Sequence, residues 1–253
     1  MGTIRIERQV GLTILRLDRP PVNAIDNDLL DRIDITLSEL CTDPELRAVV
    51  VTGAGACFSA GLDLKVVPHY GPAEQRRTIH GINRAVGRLY ALPVPTVAAV
   101  NGHAIAGGLI LALACDYRVG TTTPCQIGLT EARAGIPFPA VAMHVLRAEL
   151  APAVARRLTL TGRNYGPEAA LADGILDELQ PAERVLARAC EVAADLANIP
   201  NDAYARIKLQ LRTNTLAANQ AIMEGGHDPL ADSWLSRDAE SAAAALLGSK
   251  GSG

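Results

Sequence analysis

Apolar positions along the chain fall into two patterns, short runs suited to strands and stretches with helical spacing. Ile4 and Ile6, then Leu12, Ile14, Leu15 and Leu17, lie in β-rich segments separated by Gly11, which predicts paired strands. Arg19-Pro20-Pro21 ends that region. Asp26 stands where a helix N-cap belongs, ahead of Leu29, Leu30, Ile33, Leu37 and Leu40, which share one helical face. Ala48-Val49-Val50-Val51-Thr52 is apolar without alternation, as expected of a strand covered on both faces. A second helix is predicted over 73–92.

The plan then recurs. Thr96-Val97-Ala98-Ala99-Val100 is a second buried strand, 101–108 a glycine-bearing loop, and 109–114 an apolar helix. Tyr117-Arg118-Val119 predicts a short strand and 128–139 a loop region. After Gly174 a strand over 175–179 leads to a helix starting at Pro181, with Val185, Ala189, Val192 and Leu196 on one face. From Asp202 the pattern is helical to near Leu247. Strand-then-helix units to about residue 180, then a helical tail, predict an α/β core with a helical appendage, divided as 1–198 and 199–253.

Composition limits the partners. Aromatic residues are only 3 % of the chain, so the core must be built from Ala, Leu, Val and Ile. A net charge of −3 gives no general attraction to nucleic acid or an anionic membrane, so any bound anion must be met by local donors. Thr3-Ile4-Arg5-Ile6-Glu7-Arg8 is charged and alternating, which argues against a secretory leader and for a cytoplasmic protein. Residues 89–115 carry no charged side chain, but Pro93, Pro95, Asn101, Gly102, His103, Gly107 and Gly108 break the roughly 20 apolar residues that a membrane helix needs. Cys41, Cys57, Cys115, Cys125 and Cys190 are odd in number and lack Cys-x-x-Cys spacing. They predict buried reduced thiols, and no residue spacing predicts a metal site.

Two glycine loops carry the candidate chemistry. The first, from Thr52-Gly53-Ala54-Gly55 to Gly61-Leu62-Asp63-Leu64-Lys65, follows a strand. It fails as a dinucleotide fingerprint because Phe58 takes the third glycine position, and as a serine-hydrolase elbow because Cys57 takes the first. Glycine turns alone also explain it. The second loop, Asn101 through Gly107-Gly108, runs from a strand into an apolar helix. Helix N-termini leave N–H groups unpaired and favour negative charge. Two such ends facing each other would form an oxyanion hole without a charged side chain.

These segments resemble the enoyl-CoA hydratase/isomerase (crotonase) superfamily. Val49-Val50-Val51-Thr52-Gly53-Ala54-Gly55 through Phe58-Ser59-Ala60-Gly61-Leu62-Asp63-Leu64-Lys65 is similar to its first signature. Ala99-Val100-Asn101-Gly102 through Ala106-Gly107-Gly108 and Cys115-Asp116-Tyr117-Arg118 resemble its second, and Ile127-Gly128-Leu129-Thr130-Glu131 with Gly135-Ile136-Pro137 its third. The resemblance implies a spiral of ββα units with a C-terminal helical trimerisation region, as a homotrimer or dimer of trimers. It implies an acyl-CoA thioester substrate, with coenzyme A part of that substrate and no separate cofactor. It implies Leu62 and Gly107 amides on the thioester oxygen, Glu131 as the catalytic carboxylate, and a substrate site drawing on Ala60, Gly61, Asp63, Leu64, Lys65, Gly108 and Ile110.

One departure narrows the reaction. Family hydratases carry a second glutamate three residues after the oxyanion-hole glycine, where this chain has Ile110. Water addition is helped by two carboxylates, whereas double-bond migration needs one base that removes a C2 proton and returns one at C4. The pattern resembles the single-glutamate Δ3-Δ2-enoyl-CoA isomerases. A hydratase and a CoA-thioester-binding protein without turnover stand as alternatives. Outside the resemblance, Asp63 reads as a structural loop or helix cap, Lys65 equally as a contact to CoA phosphate or adenine and as a solvated side chain, and His103 as a packed or solvated residue. The run Ile136-Pro137-Phe138-Pro139 is a candidate wall of the acyl pocket.

Overall fold

The computed structural model describes residues 4–225, 228–231, 234, 241, 242 and 245. Two sheets organise the chain. Strands β1 (Ile4–Gln9), β2 (Leu12–Leu17), β3 (Ala48–Gly53), β5 (Thr96–Val100), β7 (Tyr117–Thr121) and β10 (Glu178–Gln180) form the larger one in that order. The β1–β2 pair is antiparallel and every other pair in this sheet is parallel. Strands β4 (Cys57–Ser59), β6 (His103–Ile105), β8 (Ile127–Gly128) and β9 (Asn164–Tyr165) form the smaller sheet.

Three turns of the chain repeat one path: a strand of the large sheet, a strand of the small sheet, then a helix. They are β3–β4–α2 (Pro72–Ala91), β5–β6–α3 (Gly107–Leu113) and β7–β8–α4 (Glu131–Ala134). This is the ββα spiral expected above. It places both glycine loops and Glu131 at corresponding points of successive turns.

The uninterrupted apolar runs follow from layering. Val49 and Val51 of β3, with Ala98 and Val100 of β5, pack in the main core with α1 (Asn27–Leu40), α2 and α3. Ala48 and Val50, with Val97 and Ala99, meet α8 (Val185–Ala197) through Val185, Ala189, Val192 and Ala193. Alternate residues of one strand therefore enter two different cores, and neither face tolerates polarity. Burying each such valine fully is worth about 1.5–3 kcal/mol over leaving it exposed. Helix α1 begins where predicted, with the Asp26 carboxylate accepting the Leu29 N–H at 2.9 Å. Losing such a cap costs about 1 kcal/mol.

Several sequence expectations are corrected. Residues 103–105 of the expected loop form β6, which pairs with β4 in the second sheet. The strand expected over 175–179 is Glu178–Gln180, because the Ile175 and Leu176 N–H groups donate to Ala170 O and close a helix end. Pro181 precedes a 3₁₀ turn, Ala182–Arg184, and α8 starts at Val185. The strand-then-helix order lapses between β8 and β10, where α4, α5 (Ala140–Glu149), α6 (Pro152–Thr161) and α7 (Pro167–Ala172) are interrupted only by β9. Helix α9 runs Asn201–Gly225, and Asp228–Ala231 is a turn because the Asp228 carboxylate accepts the Leu230, Ala140 and Asn83 donors. The rest of the expected helix to Leu247 falls mainly outside the described residues. Cys57 and Cys115 are buried, but Cys41 is exposed and Cys125 and Cys190 are half-buried. No described helix is long and apolar enough to cross a membrane.

Helix α9 packs on α2 and α5. A buried ionic cluster fastens it there. Asp116 takes the Lys208 ammonium at 2.8 Å, Arg212 at 3.0 Å, the Tyr204 hydroxyl at 3.0 Å and the Thr96 N–H at 2.8 Å. Arg212 also reaches Glu149 at 3.3 Å and Tyr90 O at 2.9 Å, and lies over the Tyr90 ring.

Candidate active site

The two glycine loops touch. Gly61 has φ +77°, which favours glycine, and a Cβ there would stand 2.7 Å from the Ala106 Cβ and 3.0 Å from the Gly107 nitrogen. A Cβ on Gly108 would stand 2.3 Å from Ser59 O. Small residues are therefore what lets the first loop seat against the start of α3. The backbone holds this arrangement: Ile25 N–H donates to Gly61 O at 2.7 Å and Asp63 N–H to Ile25 O at 2.8 Å. That bridge leaves the Leu62 N–H turned away from Ile25. Among the described residues neither it nor the Gly107 N–H meets an acceptor. Ala106, with φ 53°, is a non-glycine residue in a left-handed conformation at the same point, where local strain often accompanies a working site.

Two asparagines tie down the first loop. Asn101 receives the Gly53 N–H and donates to Gly55 O at 2.8 Å. Asn23, buried with φ 51°, donates to Cys57 O at 2.7 Å and Ala54 O at 3.0 Å, while its own carbonyl takes the Ser59 hydroxyl. Sequence reasoning missed Asn23. The available signal was an asparagine just after Pro20-Pro21-Val22, since Asn tolerates the left-handed region and bonds nearby backbone.

In front of the two amides lies a pocket with about 700 Å³ of empty space, open solvent at its mouth included. Of the expected site residues, Ala60, Leu62, Leu64, Gly107, Ile110 and Glu131 line it. Gly61 and Gly108 support it from behind through the contacts above. Asp63 does not line it: its carboxylate accepts the Lys65 N–H at 3.0 Å and pairs with Arg19 at 2.7 Å, so it acts as the loop cap. Lys65 is exposed outside the lining. His103 is exposed too, and its ring Nδ1 accepts the Gln126 N–H. Among the described residues no group of His, Cys, Asp and Glu could hold a metal.

Ile136, Pro137, Phe138 and Pro139 all form pocket wall. Behind them sits the buried Trp234, whose indole N–H donates to Pro137 O at 2.8 Å. Trp234, Ile82 and Val86 were missed as lining residues. The signal for Trp234 was its being the chain's single tryptophan, a type that buries a large surface and needs a partner for its N–H.

Glu131 opens the four-residue α4 and is 7 % exposed. It is the one ionisable residue among the described lining residues. Its Oε2 is buried and, among the described residues, accepts no hydrogen bond. Burial pushes its carboxyl up to about 8, with only its own backbone N–H working in the opposite direction. An acid poised there can exist in either protonation state near neutral pH.

A family model described as enoyl-CoA hydratase/isomerase matches residues 7–240. The chain belongs to the enoyl-CoA hydratase/isomerase family. Mouse mitochondrial enoyl-CoA delta isomerase 1 is 32 % identical over 214 residues, 84 % of this chain and 74 % of that protein. The carnitinyl-CoA dehydratase of Escherichia coli K12 is 33 % identical over 214 residues, 84 % and 81 % of the two chains. The crystal structure of human mitochondrial delta3-delta2-enoyl-CoA isomerase matches with a TM-score of 0.90 at 29 % identity, covering 100 % of both chains. Membership in this family establishes the crotonase fold and an enzymatic lineage acting on CoA esters. Isomerase and dehydratase relatives are equally similar, so the reaction must be argued from the pocket.

Proposed function

We propose that this protein shifts the double bond of a 3-enoyl-CoA to the 2-position. The observation that carries the reading is the lone carboxylate: Glu131 faces a pocket in which Ile110 occupies the place of a second acid. The thioester oxygen sits on the Leu62 and Gly107 N–H groups. Glu131, as the carboxylate, takes a C2 proton, and the C–H electrons pass into a dienolate whose charge rests on that oxygen. The C3=C4 electrons then take the proton back from Glu131 at C4, the C2=C3 bond forms and the thioester carbonyl is restored. One group serves twice, so no second acid is required. In other enzymes an oxyanion-hole donor is worth about 10²–10³ in rate. The apolar lining excludes competing water and keeps the Glu131 proton available for return.

The equal likeness to a dehydratase supports a second reading, hydration of 2-enoyl-CoA. A binder without turnover is disfavoured by Glu131 sharing a pocket with both free amides. The test is incubation with 3-hexenoyl-CoA and, separately, 2-hexenoyl-CoA, with products resolved by mass. The expected result is a conjugated isomer of unchanged mass from the first and little change in the second. A gain of one water from the 2-enoyl substrate at a comparable rate overturns the isomerase reading in favour of the hydratase. No turnover of either leaves the binder.

A further inference from the structure

A second, smaller apolar cavity lies in the same layer as the pocket, between the large sheet and helices α1, α2 and α3. It has about 280 Å³ of empty space, open solvent included, and is lined only by aliphatic side chains, among them Ile33 and Leu37 of α1 and Leu89 of α2. The substrate pocket is lined by residues about one turn earlier on those helices, Leu30 of α1 and Val86 of α2. The two spaces therefore follow one another along both helices. A single residue, Leu111 of α3, lines both. It is 3 % exposed and stands four residues after Gly107, one helical turn from the amide proposed for the thioester oxygen.

We infer that Leu111 is the end wall of the acyl channel and sets the longest acyl tail the protein accommodates. This rests on the acyl-CoA reading above, but not on the reaction chosen there. A tail anchored at the Leu62 and Gly107 amides and running past Ile110 meets Leu111 before it meets the second cavity. That cavity is lined by aliphatic side chains alone, the chemistry that takes a hydrocarbon chain and rejects a polar one. Leu111 stands where the two spaces adjoin. Shortening its isobutyl group to the methyl of alanine should join them without changing Glu131 or either amide.

The experiment is calorimetric binding of saturated acyl-CoAs of increasing even chain length to the wild type and to Leu111→Ala. Each buried methylene strengthens binding about fourfold. For the wild type, affinity should climb at that rate and stop at one length. For Leu111→Ala the climb should continue at least two methylenes further, so the longest ligands gain tenfold or more over the wild type. Leu111→Phe should stop it earlier. If Leu111→Ala does not fold, Leu111→Val must extend the climb in the same sense. A stopping length that is the same in wild type, Ala or Val, and Phe overturns the inference. Because the ligands do not react, a shifted stopping length in a protein that isomerises nothing supports the inference while the isomerase reading falls. An active isomerase whose stopping length never moves overturns the inference alone. No binding of any acyl-CoA overturns both.

Discussion

Two buried sites for carboxylates are built in opposite ways. Asp116 and Glu149, beneath α9, sit among Lys208, Arg212 and Arg118, with Tyr204, Tyr90 and backbone donors filling the remaining positions. Glu131, more deeply buried than either, has no cation and leaves one oxygen without a partner among the described residues. Burying a charge is costly unless it is paired; the first site supplies that pairing, and the second, without it, favours the neutral acid. Burial pulls the Lys208 ammonium below an ordinary lysine, and Asp116 opposes that pull. Nothing comparable opposes the rise at Glu131. A fold that supplies counter-charges to the carboxylates beneath α9 withholds them at Glu131, and withholding them makes a group that can both take and return a proton.

The sharpest way to break the contrast is Glu131→Gln. General acid–base catalysis contributes about 10²–10⁴ in rate, and a residue serving as both base and acid stands at the upper end. Turnover of 3-hexenoyl-CoA should fall by about 10⁴, with acyl-CoA affinity changed little; wild-type turnover in this variant would exclude Glu131 as the base. In the wild type kcat/KM should rise with pH, reach half its limit near pH 8, where the free protein's Glu131 is half ionised, and level off above that. Stability carries the opposite slope. Between about pH 4.5 and 8 the folded chain holds a proton that the unfolded chain has released, so stability is lost as pH rises through that window. Glu131→Gln removes that loss. In urea melts it should gain on the wild type from pH 5 to pH 8.5, by an amount on the order of a few kcal/mol. Parallel curves would mean an unshifted carboxyl.

What was legible in the sequence follows the range of the forces involved. Strands β3 and β5 could be read because burial on both faces leaves a continuous apolar run, and α1 because Asp26 caps it locally. Strands β4 and β6, three residues each, are too short to display a period. Helix α5 carries no local start signal: Pro139 caps it without a side-chain bond. The first N–H groups of α5 are met instead by Asp228 and Asn83, 88 and 58 residues away in the chain. At the site, Leu62, Gly107 and Glu131 came from the family resemblance. Their spacing alone supported glycine turns, an oxyanion hole only if two helix starts faced each other, and a loop glutamate. Trp234 and Asn23 act through contacts 97 and up to 36 residues distant, which no local pattern encodes.

At the compensated end of the comparison, Arg212→Met should cost about 3–5 kcal/mol of stability, because it leaves Asp116 and Glu149 buried with one counter-charge fewer. The loss should appear in urea or thermal melts at pH 7. A double variant that also replaces Asp116 with Asn should lose less than the sum of the two single changes, since the stranded charge is what makes the single change costly. Additive losses would show that Arg212 acts through its packing over the Tyr90 ring.

The smallest effect should come from Tyr204→Phe, and its smallness is the point. The hydroxyl donates to Asp116 at 3.0 Å, but that carboxylate keeps Lys208, Arg212 and the Thr96 N–H when the hydroxyl is gone. A hydrogen bond to a carboxylate that retains other donors should be worth about 1 kcal/mol, not the penalty of an unsatisfied buried charge. The phenol itself is pushed above an ordinary tyrosine by burial, with the Asp116 charge adding to the shift, so it stays a donor across the pH range of any melt. The deficit of Tyr204→Phe should therefore be flat with pH, whereas the difference between Glu131→Gln and the wild type should change with it. A deficit of 3 kcal/mol or more would mean that the cluster has no redundancy. The contrast between a carboxylate with several partners and one without a cation would then be far weaker than the geometry indicates.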